Sequence, residues 1–101
     1  MKNKKLHRSP MEYRVIWKGE DSVGESIQHY NVFHSSEALD FLAHTLRGGH
    51  IHTASIKVIA VEEYNRFSDR WENRTTKASE HAVSPEVSVS DSGVVSLNHM
   101  E

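Results

Sequence analysis

Ala54-Ser-Ile-Lys-Val-Ile-Ala-Val61 runs straight into Glu62-Glu-Tyr-Asn-Arg-Phe-Ser-Asp-Arg-Trp-Glu-Asn-Arg74, with no Gly, Pro or Asn at the junction, and the reading of this stretch decides the fold. The first half is rich in β-branched residues and predicts a central strand. The second half predicts a helix. Tyr64, Phe67 and Trp71 fall within about 60° of one another on a helical wheel, whereas strand periodicity would put Tyr64 and Phe67 on opposite faces. Glu62 and Arg66 add an i,i+4 pair in the favourable orientation. Because nothing breaks the chain between the two halves, a bent continuation of the strand over residues 62–74 is the alternative.

Upstream, the segment around Leu39, Leu42, Ala43 and Leu46 predicts an amphipathic helix, since these residues share one face at 3.6 residues per turn. Ser35 or Ser36 is the expected N-cap, Glu37 and Asp40 suit the positive end of the helix dipole, and Gly48-Gly49 is the stop. Residues 11–17 alternate, with Tyr13, Val15 and Trp17 on one face and Glu12, Arg14 and Ile16 on the other. That is a strand pattern. A polar, Gly-containing loop joins it to a second strand over residues 27–33. The class is therefore α+β: a small antiparallel sheet, in the order β-β-α-β-α, with the helices on one face.

Composition changes at both ends of this segment. Residues 1–10 form a basic arm closed by Pro10, residues 11–74 the core domain, and residues 75–101 a polar tail. The tail contains Glu86-Val-Ser-Val-Ser90 and Val94-Val-Ser-Leu97 around Asp91-Ser-Gly93, a weak hairpin pattern without an aromatic residue. A flexible tail is expected, with a hairpin over 86–97 as the alternative. Met11, directly ahead of the first strand, is a second candidate for the start of translation.

The 101 residues hold no Cys, which excludes disulfides and thiolate metal sites and fits a reducing, cytoplasmic setting. No run approaches the roughly 18 apolar residues of a membrane helix. The net charge of −2 is unevenly spread: the arm carries +4, the core −3 and the tail −3. A mildly acidic body argues against a general polyanion-binding surface.

Catalytic and cofactor motifs are missing from this pattern. No Gly-rich loop opens a helix in the phosphate-binding manner, and the adjacent carboxylates of Glu62 and Glu63 point apart. The expectation is a non-enzymatic protein without a cofactor, binding another protein or regulating it through a sheet edge, an aromatic patch or the tail. A homodimer is one form of that partnership. Phe41, about 160° round the wheel from Leu39, joins Tyr64, Phe67 and Trp71 as interaction candidates, because aromatic anchors dominate interfaces. The alternative is a nucleic-acid-binding accessory protein that tracks phosphates with Lys2, Lys4, Lys5 and Arg8, although no aromatic residue is interleaved for base stacking. A third reading, a histidine-based metal site or a metal-dependent enzyme, uses the unusual count of eight histidines. His44, His50 and His52 have the chemistry to hold Zn²⁺ with an open fourth position, but two of them follow a flexible Gly-Gly, so surface imidazoles are the better account.

With a sequence pI near 6.4, net charge and self-repulsion vanish in mildly acidic buffer. Light scattering against pH at fixed salt is expected to show poorest solubility near that value, with a chelator leaving the minimum in place. Zn²⁺ that co-purifies at about one per chain, and whose removal unfolds the protein, would instead make His44, His50 and His52 ligands.

Overall fold

The stretch 55–65 is the strand around which everything else is arranged. The computed structural model of the chain describes residues 9–20, 22–51, 53 and 55–98. The elements in order are β1 (Met11–Gly19), β2 (Ser26–Val32), α1 (Ser35–Arg47), β3 (Ser55–Asn65), β4 (Arg70–Asn73), α2 (Thr75–His81), β5 (Val87–Val89) and β6 (Val95–Asn98). All six strands belong to one antiparallel sheet, running β2-β1-β3-β6-β5. β4 shares the edge of β3 opposite β1 with β6, pairing along residues 62–65 while β6 takes 55–58. Between these two partners Val61 donates its N–H to Thr75 Oγ1 (3.0 Å) and accepts from the Arg74 N–H (2.7 Å), so the edge of β3 stays satisfied there. The class is α+β as expected, and the order is β-β-α-β-β-α-β-β.

A β-bulge sets the faces of β3. Ile16 pairs with Ala60 and Trp17 with Val58, which leaves Ile59 as the extra residue. Ile56 and Val58 point into the core, and then Val61 does, three residues on rather than two. Glu62 and Tyr64 are thereby turned to the face away from the helices. Unbroken alternation would have sent both of them inward.

On the other face lie α1 and α2, which pack on each other and on the sheet. α1 buries Ala38, Leu39, Leu42, Ala43 and Leu46 against Tyr13, Val15, Val32, Ile56, Val58 and Val61. Its start is not capped by serine. His34 is the N-cap, and Glu37 Oε1 reaches back to accept from the N–H of His34 (2.8 Å) and of Phe33 (2.9 Å). Ser35 and Ser36 already lie in the first turn. The far end is a Schellman motif: Gly49 takes φ +79°, and the His50 and Gly49 N–H groups bond the carbonyls of Thr45 and Leu46.

Two expectations fail here. Residues 62–74 are not a helix but the end of β3, a turn and β4. Asn65 Oδ1 accepts the N–H of Phe67 (2.9 Å) and Ser68 (3.3 Å), and Asp69 adopts φ +57°, so side-chain hydrogen bonds reverse the chain within four residues. Tyr64 and Trp71 share a face because they are cross-strand partners, a juxtaposition that the helical wheel also produces. Phe67 separates the two readings: it sits in the turn, 92% exposed. Glu62 pairs with Arg14 rather than with Arg66.

Nor is residue 74 a boundary of the fold. Ala78, Val95 and Leu97 are buried in the core, and residues 86–97 form the hairpin. Asp40 accepts the N–H groups of Val83 and Ser84 (3.0 and 2.9 Å), and Arg47 grips Glu86 bidentately (2.8 and 2.9 Å), so α1 holds the returning chain at two points. A composition poor in aromatic residues was misleading, because Val95 and Leu97 fill a groove made by other elements. Lys2, Lys4, Lys5 and Arg8 of the basic arm lie outside the described residues.

A fragment ending at residue 74 loses β6 from the central strand and uncovers Ile56 and Val58. It is expected to be unfolded by circular dichroism, and Leu97→Ala in the full chain is expected to cost about 2–5 kcal/mol by denaturant titration. A fragment 11–74 that melts as cooperatively as the whole chain would restore the shorter domain.

Candidate interaction surfaces

The face of the sheet that the helices leave uncovered carries an aromatic and charged cluster. Trp71 on β4 lies directly opposite Tyr64 on β3, with ring centroids 5.2 Å apart. The Arg14 guanidinium, from β1, is 4.1 Å from the Trp71 ring centre, close enough for a cation–π contact, and its Nε bonds Glu62 Oε1 at 2.7 Å. His29, the residue opposite Arg14 on β2, meets Trp71 edge-on at 6.0 Å. Four strands thus converge on one indole. Trp71 itself is half-buried, and Ile16 and Ile27, cross-strand partners two residues along from Arg14 and His29, add apolar ground to the same face, Ile27 being exposed. The Tyr64 hydroxyl donates to Asp69 across the hairpin, and that bond, with some loss of hydration, raises its pKa above the ordinary tyrosine value. Arg14–Glu62 is a partly solvated pair, so it orients the guanidinium more than it stabilises the fold.

Of the four residues expected to make contacts, Tyr64 and Trp71 are brought together here and the others are not. Phe67 stands alone at the tip of the β3–β4 hairpin with Arg66 near its ring (5.8 Å). Phe41, 51% exposed on α1, stacks on Tyr30 of β2 with ring centroids 6.0 Å apart and planes 17° off parallel. Arg14 and His29 were missed. Alternation along β1 already places Arg14 outward, but only the strand register puts it under the same indole as His29.

Beneath the Phe41–Tyr30 stack the hydroxyl of Tyr30 is buried without a hydrogen bond of normal geometry, as is Trp17 Nε1. Thr45 stands close enough to offset part of the cost, yet its own Oγ1 proton goes to the Phe41 carbonyl (3.0 Å). Desolvation dominates, and the Tyr30 pKa is pushed up to about 12.

A cleft of about 680 Å³ opens on the helix side, between the start of α1, α2 and the ends of β1 and β3. Glu63 and Arg74 in its wall are engaged with neighbouring side chains. Glu63 accepts from the Tyr13 hydroxyl (3.0 Å) and lies 3.4 Å from Arg74 Nε, and Arg74 also bonds Glu72 (2.7 Å). Asn65 and Arg74 together hold Glu72 below the usual carboxylate range. Ser35 and Ser36 line this cleft with His34 and His81, but among the described residues no hydrogen bond joins a serine hydroxyl to either imidazole. His44 packs beside Arg47 (3.4 Å). Among the described residues no three His, Asp or Glu side chains converge as metal ligands, and His52 lies outside them. Among the described residues no helix is long and apolar enough to cross a membrane.

Ionising Tyr30 opposes folding, because its folded pKa lies above the unfolded value of about 10. Its contribution is whole below pH 10 and is lost as pH rises toward 12. Thermal melts of the wild type are therefore expected to fall over that window, and those of Tyr30→Phe to fall less. Equal alkaline losses in the two proteins would refute a buried phenol.

No protein-family model, curated protein or solved structure matches this chain, so its function has to be read from the chemistry of these surfaces.

Proposed function

We propose that the chain is a non-enzymatic binding or regulatory protein that recognises another protein on the open face of its sheet. The observation that carries this reading is the half-buried Trp71, with Arg14 against its ring and Tyr64 and His29 at its sides, on the face no helix covers. Trp, Tyr and Arg are the side chains that most often supply binding energy, and they do so from prearranged clusters ringed by weaker contacts. Here the cluster is held by cross-strand pairing and the Arg14–Glu62 and Tyr64–Asp69 bonds, so little side-chain freedom remains to be lost on docking. In the helix-side cleft Tyr13, Glu63 and Arg74 bond one another, which supports a structural role for those three. The cysteine-free composition fits a cytoplasmic setting.

Trp71→Ala tests this. The substitution removes edge and cation–π contacts at a solvated surface, so a stability loss of only about 1–2 kcal/mol is expected. Capture of partners from cells of the native host, read by mass spectrometry, is expected to lose one specific protein that the wild type retains. Affinity for that protein, measured with both purified, should drop by more than about tenfold. Unfolding of the variant would make Trp71 a structural residue, and an unchanged set of partners would move recognition to another surface.

A further inference from the structure

The edges of this sheet are treated unequally. β5 is three residues long, and β4 is four residues with Arg70 and Glu72 among them. Short strands and charges are the usual means of keeping an edge from pairing with another chain. β2 has neither. It runs for seven residues, Ser-Ile-Gln-His-Tyr-Asn-Val, without a Lys, Arg, Asp, Glu or Pro, and pairs in full register with β1. Among the described residues nothing pairs with its outer side. Apolar groups flank that side on both faces of the sheet. Ile27 is 51% exposed on the open face, and Phe41, stacked on Tyr30, is equally exposed on the helix face.

From this we infer that β2 is a dimerisation edge, and that its occupant is the β2 strand of a second copy, antiparallel across a two-fold axis. An isologous contact between identical strands has to be antiparallel, and the absence of charge means two copies meet without repulsion. Full overlap of the seven residues puts the axis at His29, with Ile27 opposite Asn31 of the second copy and Gln28 opposite its Tyr30. Glu25 precedes the strand and Phe33-His34 follow it, so antiparallel pairing sets Glu25 of each copy opposite Phe33 of the other, with His34 one residue beyond. Two Phe41–Tyr30 stacks then meet near the axis, covering rings that a monomer leaves in water. The result is a continuous twelve-stranded sheet with both open faces on one side. The interface shares His29 and Ile27 with the margin of the open face, but Trp71→Ala leaves β2 unchanged and the dimer is read by mass, so the two proposals are tested apart.

The chain has no Cys, so a single introduced thiol reports only on contact between copies. The full-length wild type is expected to show a concentration-dependent mass of 23 kDa, twice its 11.5 kDa, by light scattering after size exclusion. His29→Cys should form an interchain disulfide under mild oxidation. Val23→Cys, in the β1–β2 loop and about 20 Å from the axis along the strand, should not. Ile27→Lys should weaken the dimer by at least about tenfold while keeping the wild-type circular dichroism. If that variant does not fold, Asn31→Lys, exposed near the other end of the strand, takes its place. A wild type that stays at 11.5 kDa at every concentration overturns the inference. So does a dimer that both lysines leave intact, or one in which Val23→Cys cross-links faster than His29→Cys.

Discussion

Everything on the open face depends on one extra residue in β3. The bulge at Ile59 lets Val58 and Val61 both face the helices, and it reverses the parity of every residue that follows. Glu63 becomes the inward partner of Tyr13, while Glu62 and Tyr64 turn outward to meet Arg14 and Trp71. Without the bulge, Tyr64 would compete with α1 for space and Trp71, its cross-strand partner, would follow it inward. The aromatic cluster is thus a consequence of strand register more than of any local preference.

α1 works as a clamp as well as a lid. Its apolar stripe covers the sheet, and its polar side holds the segment that leads from α2 into β5. Asp40 takes two backbone N–H groups there, and Arg47 binds a carboxylate, Glu86, that is only 3% exposed. A buried carboxylate is tolerated because both of its oxygens are met by one guanidinium in a fork geometry. These ties position β6 against β3, which is why the last strands join the core despite their weak composition.

The parts of this fold that were legible in the residues are those specified locally. The four inward positions of α1, the alternation of β1 and the β-branched run of β3 each carry their own period. What was hidden depends on partners distant in sequence. The apolar run Val58-Ile-Ala-Val61 reads as an unbroken buried strand and conceals its bulge. The spacing of Tyr64 and Trp71 satisfies a helix and a four-residue hairpin turn alike, and only the Asn65 and Asp69 side chains favour the turn. Val95 and Leu97 gain their burial from a groove built by residues some forty positions earlier. At the candidate surface, Trp71 and Tyr64 could be singled out from composition, but Arg14 and His29 needed the register of three strand pairs.

The same dependence on distant partners sets how the chain reaches this state. The β1–β2, β3–β4 and β5–β6 hairpins are local, but they are joined through pairings such as Tyr13 with Glu63 and Ser55 with Asn98, separated by 50 and 43 residues. Closing such long loops precedes any gain from the contacts they bring, so mixed sheet-and-helix topologies of this kind fold more slowly than helical bundles. α1 carries its own caps and stop and is the element best able to form early. Joining the hairpins along Ser55–Asn65 requires the longest loops to close, and in any state that precedes it the uncharged β2 strand offers an unpaired edge to another chain.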